Sequence, residues 1–115
     1  GVRDAVYDYF EGQGERSEER LSRAFAVDHA RMTWVQKDDD GTEAVTSVPI
    51  SEIIPRWSEG EPSGEARDSE ILSMEIVDGR IATVMFDSNG RFYDALTLAK
   101  VNGEWKIISK AFVRQ

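Results

Sequence analysis

The chain contains no cysteine. That removes disulfide staples, thiol nucleophiles and cysteine-ligated metals together. A single histidine, His29, would have to be completed by several carboxylates to hold a metal, so no metal is expected. Basic residues are scarce: 14 Lys and Arg stand against 22 Asp and Glu, a formal charge of −8. That sign repels a phosphate backbone and argues against nucleic acid as a partner. No apolar run approaches the roughly 20 residues of a membrane helix, so no membrane partner is expected. Cytoplasm is the default compartment, although Gly1 in place of Met also fits removal of a signal peptide. No Ser-His-Asp set, nucleophile elbow or phosphate loop is present, and no motif implies a cofactor.

What remains is a chain of 115 residues, 40% hydrophobic with eleven aromatics, read as one domain over residues 1–115. Val2, Ala5, Val6, Tyr9 and Phe10 recur at helical spacing and predict an amphipathic helix ending at Gly12 or Gly14. Ser17 reads as the N-cap of a second helix, with Glu18 and Glu19 favoured in its first turn. Ala30, Met32 and Trp34 alternate with polar residues as a strand does. Asp38 to Gly41 is a solvated turn, lacking the spacing of a calcium loop, and Glu43 to Val48 returns as a second strand. Ile50, Ile53, Ile54 and Trp57 predict a third helix, entered at Pro49 and disturbed at Pro55. Ser58 to Asp68 has almost nothing apolar and reads as a mobile loop and candidate lid.

From Ile71 to Val113 the chain reads as four strands joined at Asp78-Gly79, Asn89-Gly90 and Asn102-Gly103, dipeptides that supply the positive φ of tight hairpins. With two residues in each turn, Met85 faces Asp94, Leu96 faces Ser109 and Asp94 faces Ala111. Alternation then points Met85, Asp94, Leu96, Leu98, Trp105, Ile107 and Ser109 inward. Val84, Phe86, Tyr93, Ile108 and Phe112 point outward, around small residues such as Ala95. An outer face that apolar predicts a homodimer through it. The order helix, helix, hairpin, helix, meander is α+β, with helices packed on one face of a mostly antiparallel sheet.

The stretch from Gly12 through Leu21, Ala24-Phe25 and Asp28-His29-Ala30 resembles the opening of the nuclear transport factor 2-like superfamily. The runs Phe92–Leu98 and Lys100–Ile108 resemble the branch labelled "putative lumazine-binding". The resemblance implies a curved sheet wrapped as a cone around three helices, often dimeric through the outer face, and it spans isomerases, dehydratases, cyclases and binding modules. The ketosteroid isomerases of that superfamily use a helix-borne tyrosine and two aspartates. Tyr7 matches the tyrosine, but Trp34 and Thr97 fall at the acidic positions, so that chemistry does not carry over.

Asp94 is the most informative residue, because a carboxylate on the apolar face must be paired, hydrogen-bonded or functional. It and Tyr7 are the candidate catalytic groups. Tyr7, Tyr9, Trp34, Met85, Asp94, Trp105 and Ser109 are the candidate ligand-binding residues. The leading expectation is a small-molecule-binding protein with a partly apolar pocket in the cone. The alternatives are an isomerase-, dehydratase- or cyclase-type enzyme using Asp94 and a tyrosine, and a dimeric interaction module with a filled cone.

Overall fold

A computed structural model describes residues 1–115. Three helices, α1 (Val2–Glu15), α2 (Glu18–Ala24) and α3 (Ile50–Trp57), pack on a sheet of β1 (Arg31–Lys37), β2 (Glu43–Pro49), β3 (Ser69–Val77), β4 (Ile81–Ser88), β5 (Phe92–Val101) and β6 (Glu104–Arg114). The strand order is β2-β1-β6-β5-β4-β3. Every pairing is antiparallel except β1 with β6. The class is α+β as expected, and the sheet is curved, as the resemblance implies, and unclosed. No helix is long and apolar enough to cross a membrane.

Local chemistry accounts for the helices. Arg16 adopts a left-handed conformation (φ 60°) that ends α1, and the Ser17 N–H donates to the Gly12 carbonyl at 2.8 Å. The Ser17 hydroxyl accepts from the Arg20 N–H, capping α2 as expected. Helix α3 runs through Pro55 to Trp57, so that proline does not end it. The amphipathic stripes of all three helices meet the sheet in a core that includes Val6, Phe10, Leu21, Phe25, Ile50 and Ile54 against Phe86, Leu96, Leu98 and Ile107.

An ion cluster ties α1 to α2. Both Asp8 carboxylate oxygens accept from Arg23 at 3.0 Å, and Oδ1 also accepts from Arg20 Nε at 3.1 Å. The Arg23 hydrogen bond, helped by Arg20, holds the Asp8 carboxyl below its usual range. A carboxyl with a depressed folded pKa stabilises the fold above its unfolded pKa and loses that contribution as pH falls through the folded value. Wild type is therefore expected to lose stability more steeply below about pH 4 than Asp8→Asn does. Melting temperatures measured from pH 6 downward check this, and parallel curves would remove the cluster's role.

The strand registers differ from the plain two-residue-turn expectation at four places, two turns and two bulges. At Asp78-Gly79 and Asn89-Gly90 all four residues have positive φ, between 56° and 66°. Arg80 N–H and Arg91 N–H close these turns onto Val77 and Ser88. The carbonyls of Arg80 and Arg91 then accept from Lys100 N–H and Gln115 N–H, outside their own hairpins. The ladders resume only at Val77 with Ile81 and at Ser88 with Phe92, three residues apart in each loop. One extra residue turns β4 over. Ala82, Val84 and Phe86 are buried, whereas Ile81 and Met85 are 47% and 41% exposed. Leu72 sits at a bulge in β3 and is exposed.

The third turn, Asn102-Gly103, has the expected two residues, with Val101 opposite Glu104. A bulge at Ile108 then shifts the ladder from Leu98 opposite Ile107 to Thr97 opposite Ser109. Beyond it, Lys110 and Phe112 point inward, with Ser109, Ala111 and Val113 outward. The expected outer face is corrected accordingly. Val84, Phe86 and Phe112 belong to the inside, and Tyr93 stays on the outside at 40% exposure.

Candidate functional site

The registers bring three polar side chains to one place inside the sheet. Asp94 on β5 lies opposite Phe112, and its neighbour Leu96 lies opposite Lys110. Asp94 is wholly buried and Lys110 is 4% exposed. From α1, the Tyr9 hydroxyl donates to Asp94 Oδ2 at 2.7 Å. On the other side, Lys110 Nζ stands 3.5 Å from Asp94 Oδ1, an ion pair without a formed hydrogen bond, and Oδ1 has no other partner.

Burial is the largest influence on both partners of Asp94. It pushes the Tyr9 hydroxyl well above its ordinary pKa, and the charge of Asp94 and the hydrogen bond to it add to the shift. The phenol therefore stays a proton donor. Burial also lowers the Lys110 ammonium, opposed by the carboxylate beside it. Aromatic rings crowd that ammonium: Phe112 at 4.4 Å, Tyr9 at 5.5 Å and Trp57 at 5.8 Å from Nζ to the ring centres.

Lys110 and Tyr9 form the inner end of a cavity of about 400 Å3. Met32, Trp57, Phe92 and Phe112 supply its apolar wall. Arg16, Arg67 and Arg91 reach it from three different segments, and Glu65 is its only lining carboxylate. Arg67 is the best anchored of the arginines. It donates from Nη1 to the Phe10 carbonyl at 2.9 Å and from Nη2 to Gln13 Oε1 at 3.2 Å, with its guanidinium 4.3 Å from the Phe10 ring centre. The approach needs a glycine on the helix: a Cβ at Gly14 would lie 2.3 Å from Arg67 Nη1.

The family model described as "Putative lumazine-binding" matches residues 1–113. The chain belongs to that family. Lumazine-binding-family membership agrees with solved structures of similar shape. An NTF2-like protein of unknown function from Shewanella baltica is 25% identical, with a TM-score of 0.78 over 99% of this chain and 90% of that one. One from Silicibacter pomeroyi is 21% identical, with a TM-score of 0.79 over 99% and 92%. A third, from Methylobacillus flagellatus, is 24% identical, with a TM-score of 0.77 over 99% and 89%. These likenesses bear out the nuclear transport factor 2-like resemblance of the sequence. No curated protein matches the chain.

Within this family member, the candidate residues separate into three groups. Tyr9 and Asp94 come together. Tyr7, Trp34 and Trp105 are half-buried beside the core and do not line the cavity. Tyr7 sets its edge against Phe86, and Trp34 stacks on Phe112 at 5.5 Å while its indole N–H donates to Gln36. Met85 and Ser109 are corrections: the extra residue before Phe92 and the Ile108 bulge put both on the outer face, exposed. Lys110 was missed for the same reason, because without the bulge it alternates outward.

Ser58 to Asp68 passes beside the cavity, with Ser63 and Glu65 among its lining. From Gly60 to Asp68 no residue takes part in a backbone–backbone hydrogen bond outside helices and strands. Arg67, and the Asp68 N–H donating to Asn89 Oδ1, pin its far end. Amide exchange is expected to be fastest from residue 60 to 66 and far slower in β4 and β5. Slow exchange throughout that loop would rule out a lid.

Proposed function

We propose that this protein binds a compact small molecule in the cavity between α1, the end of α3 and the inner face of β5 and β6. The cavity itself carries the proposal. Its volume of about 400 Å3 falls in the range of ligand sites, and it combines an aromatic wall with a few convergent polar groups. The family description names lumazine, a flat fused-ring heterocycle, and a wall of Trp57, Phe92 and Phe112 suits a body of that shape. Native mass spectrometry of protein purified from its own host should find a retained small molecule. Protein of bare mass from several growth conditions, with no ligand taken up from a host extract, would overturn the reading.

The enzyme alternative draws on the contact of Tyr9 with Asp94. That contact favours binding over proton transfer. The Asp94 carboxylate is sealed from the cavity, occupied by the tyrosine on one oxygen and faced by Lys110 on the other, so a substrate proton lies out of its reach.

We also propose self-association through the corrected outer sheet face. Met85, Ala95 and Ala111 form one row across β4, β5 and β6. Tyr93 and Val113 flank it and Ile81 lies farther along β4, each 40% exposed or more. Apolar side chains around a flat small-residue centre suit a two-fold contact between identical sheets. Sedimentation should find a dimer at roughly tens of micromolar, in the range of standard-size interfaces, and Met85→Glu should shift it to monomer. A monomeric wild type at that concentration defeats the proposal.

A further inference from the structure

We infer that the ligand is a flat organic anion whose carboxylate is received by Lys110 and whose entry is guided by Arg16, Arg67 and Arg91. The inference rests on the small-molecule reading above and narrows it to a chemical class. It begins from a mismatch of charge. The chain carries eight more acidic than basic residues, yet the cavity gathers four cationic side chains against Glu65 on its wall and Asp94 behind Lys110. None of the three arginines makes an ion pair with a carboxylate, whereas Arg20, Arg23 and Arg80 each do. Low-dielectric walls lined by one sign of charge focus the field at such a mouth, and the acidic surface elsewhere turns anions away.

Exposure is graded along the path. Arg16 and Arg91 are exposed, Arg67 is half-buried and Lys110 is buried. At the inner end, the Lys110 ammonium carries three N–H donors. Its only carboxylate neighbour stands at 3.5 Å, and the remaining contacts are ring faces, which attract the charge but fill no N–H. No protein group fills these donors, and the ammonium lines the cavity, where an acceptor can reach them. A carboxylate entering the cavity completes them with charge-assisted hydrogen bonds, the strong kind. The body attached to that carboxylate meets Trp57, Phe92 and Phe112, so a planar apolar frame fits where a compact hydrated ion does not.

Isothermal titration with 2-naphthoate and 2-naphthamide tests this, since the two share a fused-ring body and differ in charge. Wild type is expected to bind the naphthoate at least about tenfold more tightly, the worth of a charge-assisted hydrogen bond. Arg91→Gln, at an exposed position, should weaken the naphthoate and leave the naphthamide unchanged. The double variant Lys110→Met/Asp94→Asn removes both buried charges together and should lose most of the preference for the naphthoate, keeping only the smaller share that the arginines supply. Equal binding of both probes by wild type overturns the anion inference and leaves the small-molecule reading standing. A charge preference undiminished in the double variant overturns the role of Lys110. Binding of neither probe, together with bare protein in native mass spectrometry, overturns both.

Discussion

Lys110→Met is expected to destabilise the protein by about 3–5 kcal/mol, because it strands a fully buried carboxylate with one hydroxyl as its remaining partner. Asp94→Asn should also destabilise it, by leaving the buried ammonium without its counter-charge. The double replacement Lys110→Met/Asp94→Asn should recover most of the loss, since a neutral amide still accepts from the Tyr9 hydroxyl and the methionine fills the lysine's path among the rings. Urea unfolding of the four proteins forms a double-mutant cycle. A large positive recovery assigns the cost to uncompensated charge. Additive losses would mean that the two side chains act separately, with packing as the whole of their contribution.

Phe86→Ala carries the second large expected effect, about 3–5 kcal/mol. Phe86 is wholly buried, with the rings of Tyr7, Tyr9 and Phe10 at 6.2, 6.3 and 5.6 Å. Met85→Ala, one residue away and exposed, should change stability by less than about 0.5 kcal/mol in the isolated subunit. The contrast tests the register of β4 directly. With the two-residue turn that the dipeptide alone implies, the costs would be reversed.

The fold was legible because its signals are local: apolar spacing in the helices, the cap at Ser17, and three dipeptides that take positive φ in the structure. The facing of the strands was less so. A turn dipeptide states where the chain reverses, but the carbonyls of Arg80 and Arg91 chose partners outside their hairpins. No residue type at those positions announces that choice. The bulge at Ile108 is similarly silent, since Ile107, Ile108 and Ser109 read equally well as plain strand. Asp94 was legible because β5 keeps its expected alternation, and Tyr9 because it lies on the apolar stripe of α1. The cationic wall was not, because its members come from a helix end, a loop and two strand-linked positions that only the folded chain brings together.

The parallel pairing of β1 with β6 has a consequence for the timing of folding. The β1–β2 hairpin and the β3–β5 meander each form from neighbouring segments, but they share no strand edge. β6, the last strand in chain order, lies between β1 and β5 and is the only link between them. Synthesis therefore yields two partial sheets with open edges and a helical layer whose apolar stripes lack their full cover. Closing the molecule requires contacts between residues such as Met32 and Lys110, far apart along the chain, and such loop closure is slow. The interval before β6 arrives is when the chain is most prone to pair with another copy of itself. A nascent chain stalled before Glu104 should be protease-sensitive throughout, helices included, and protection should appear in one step once β6 has docked.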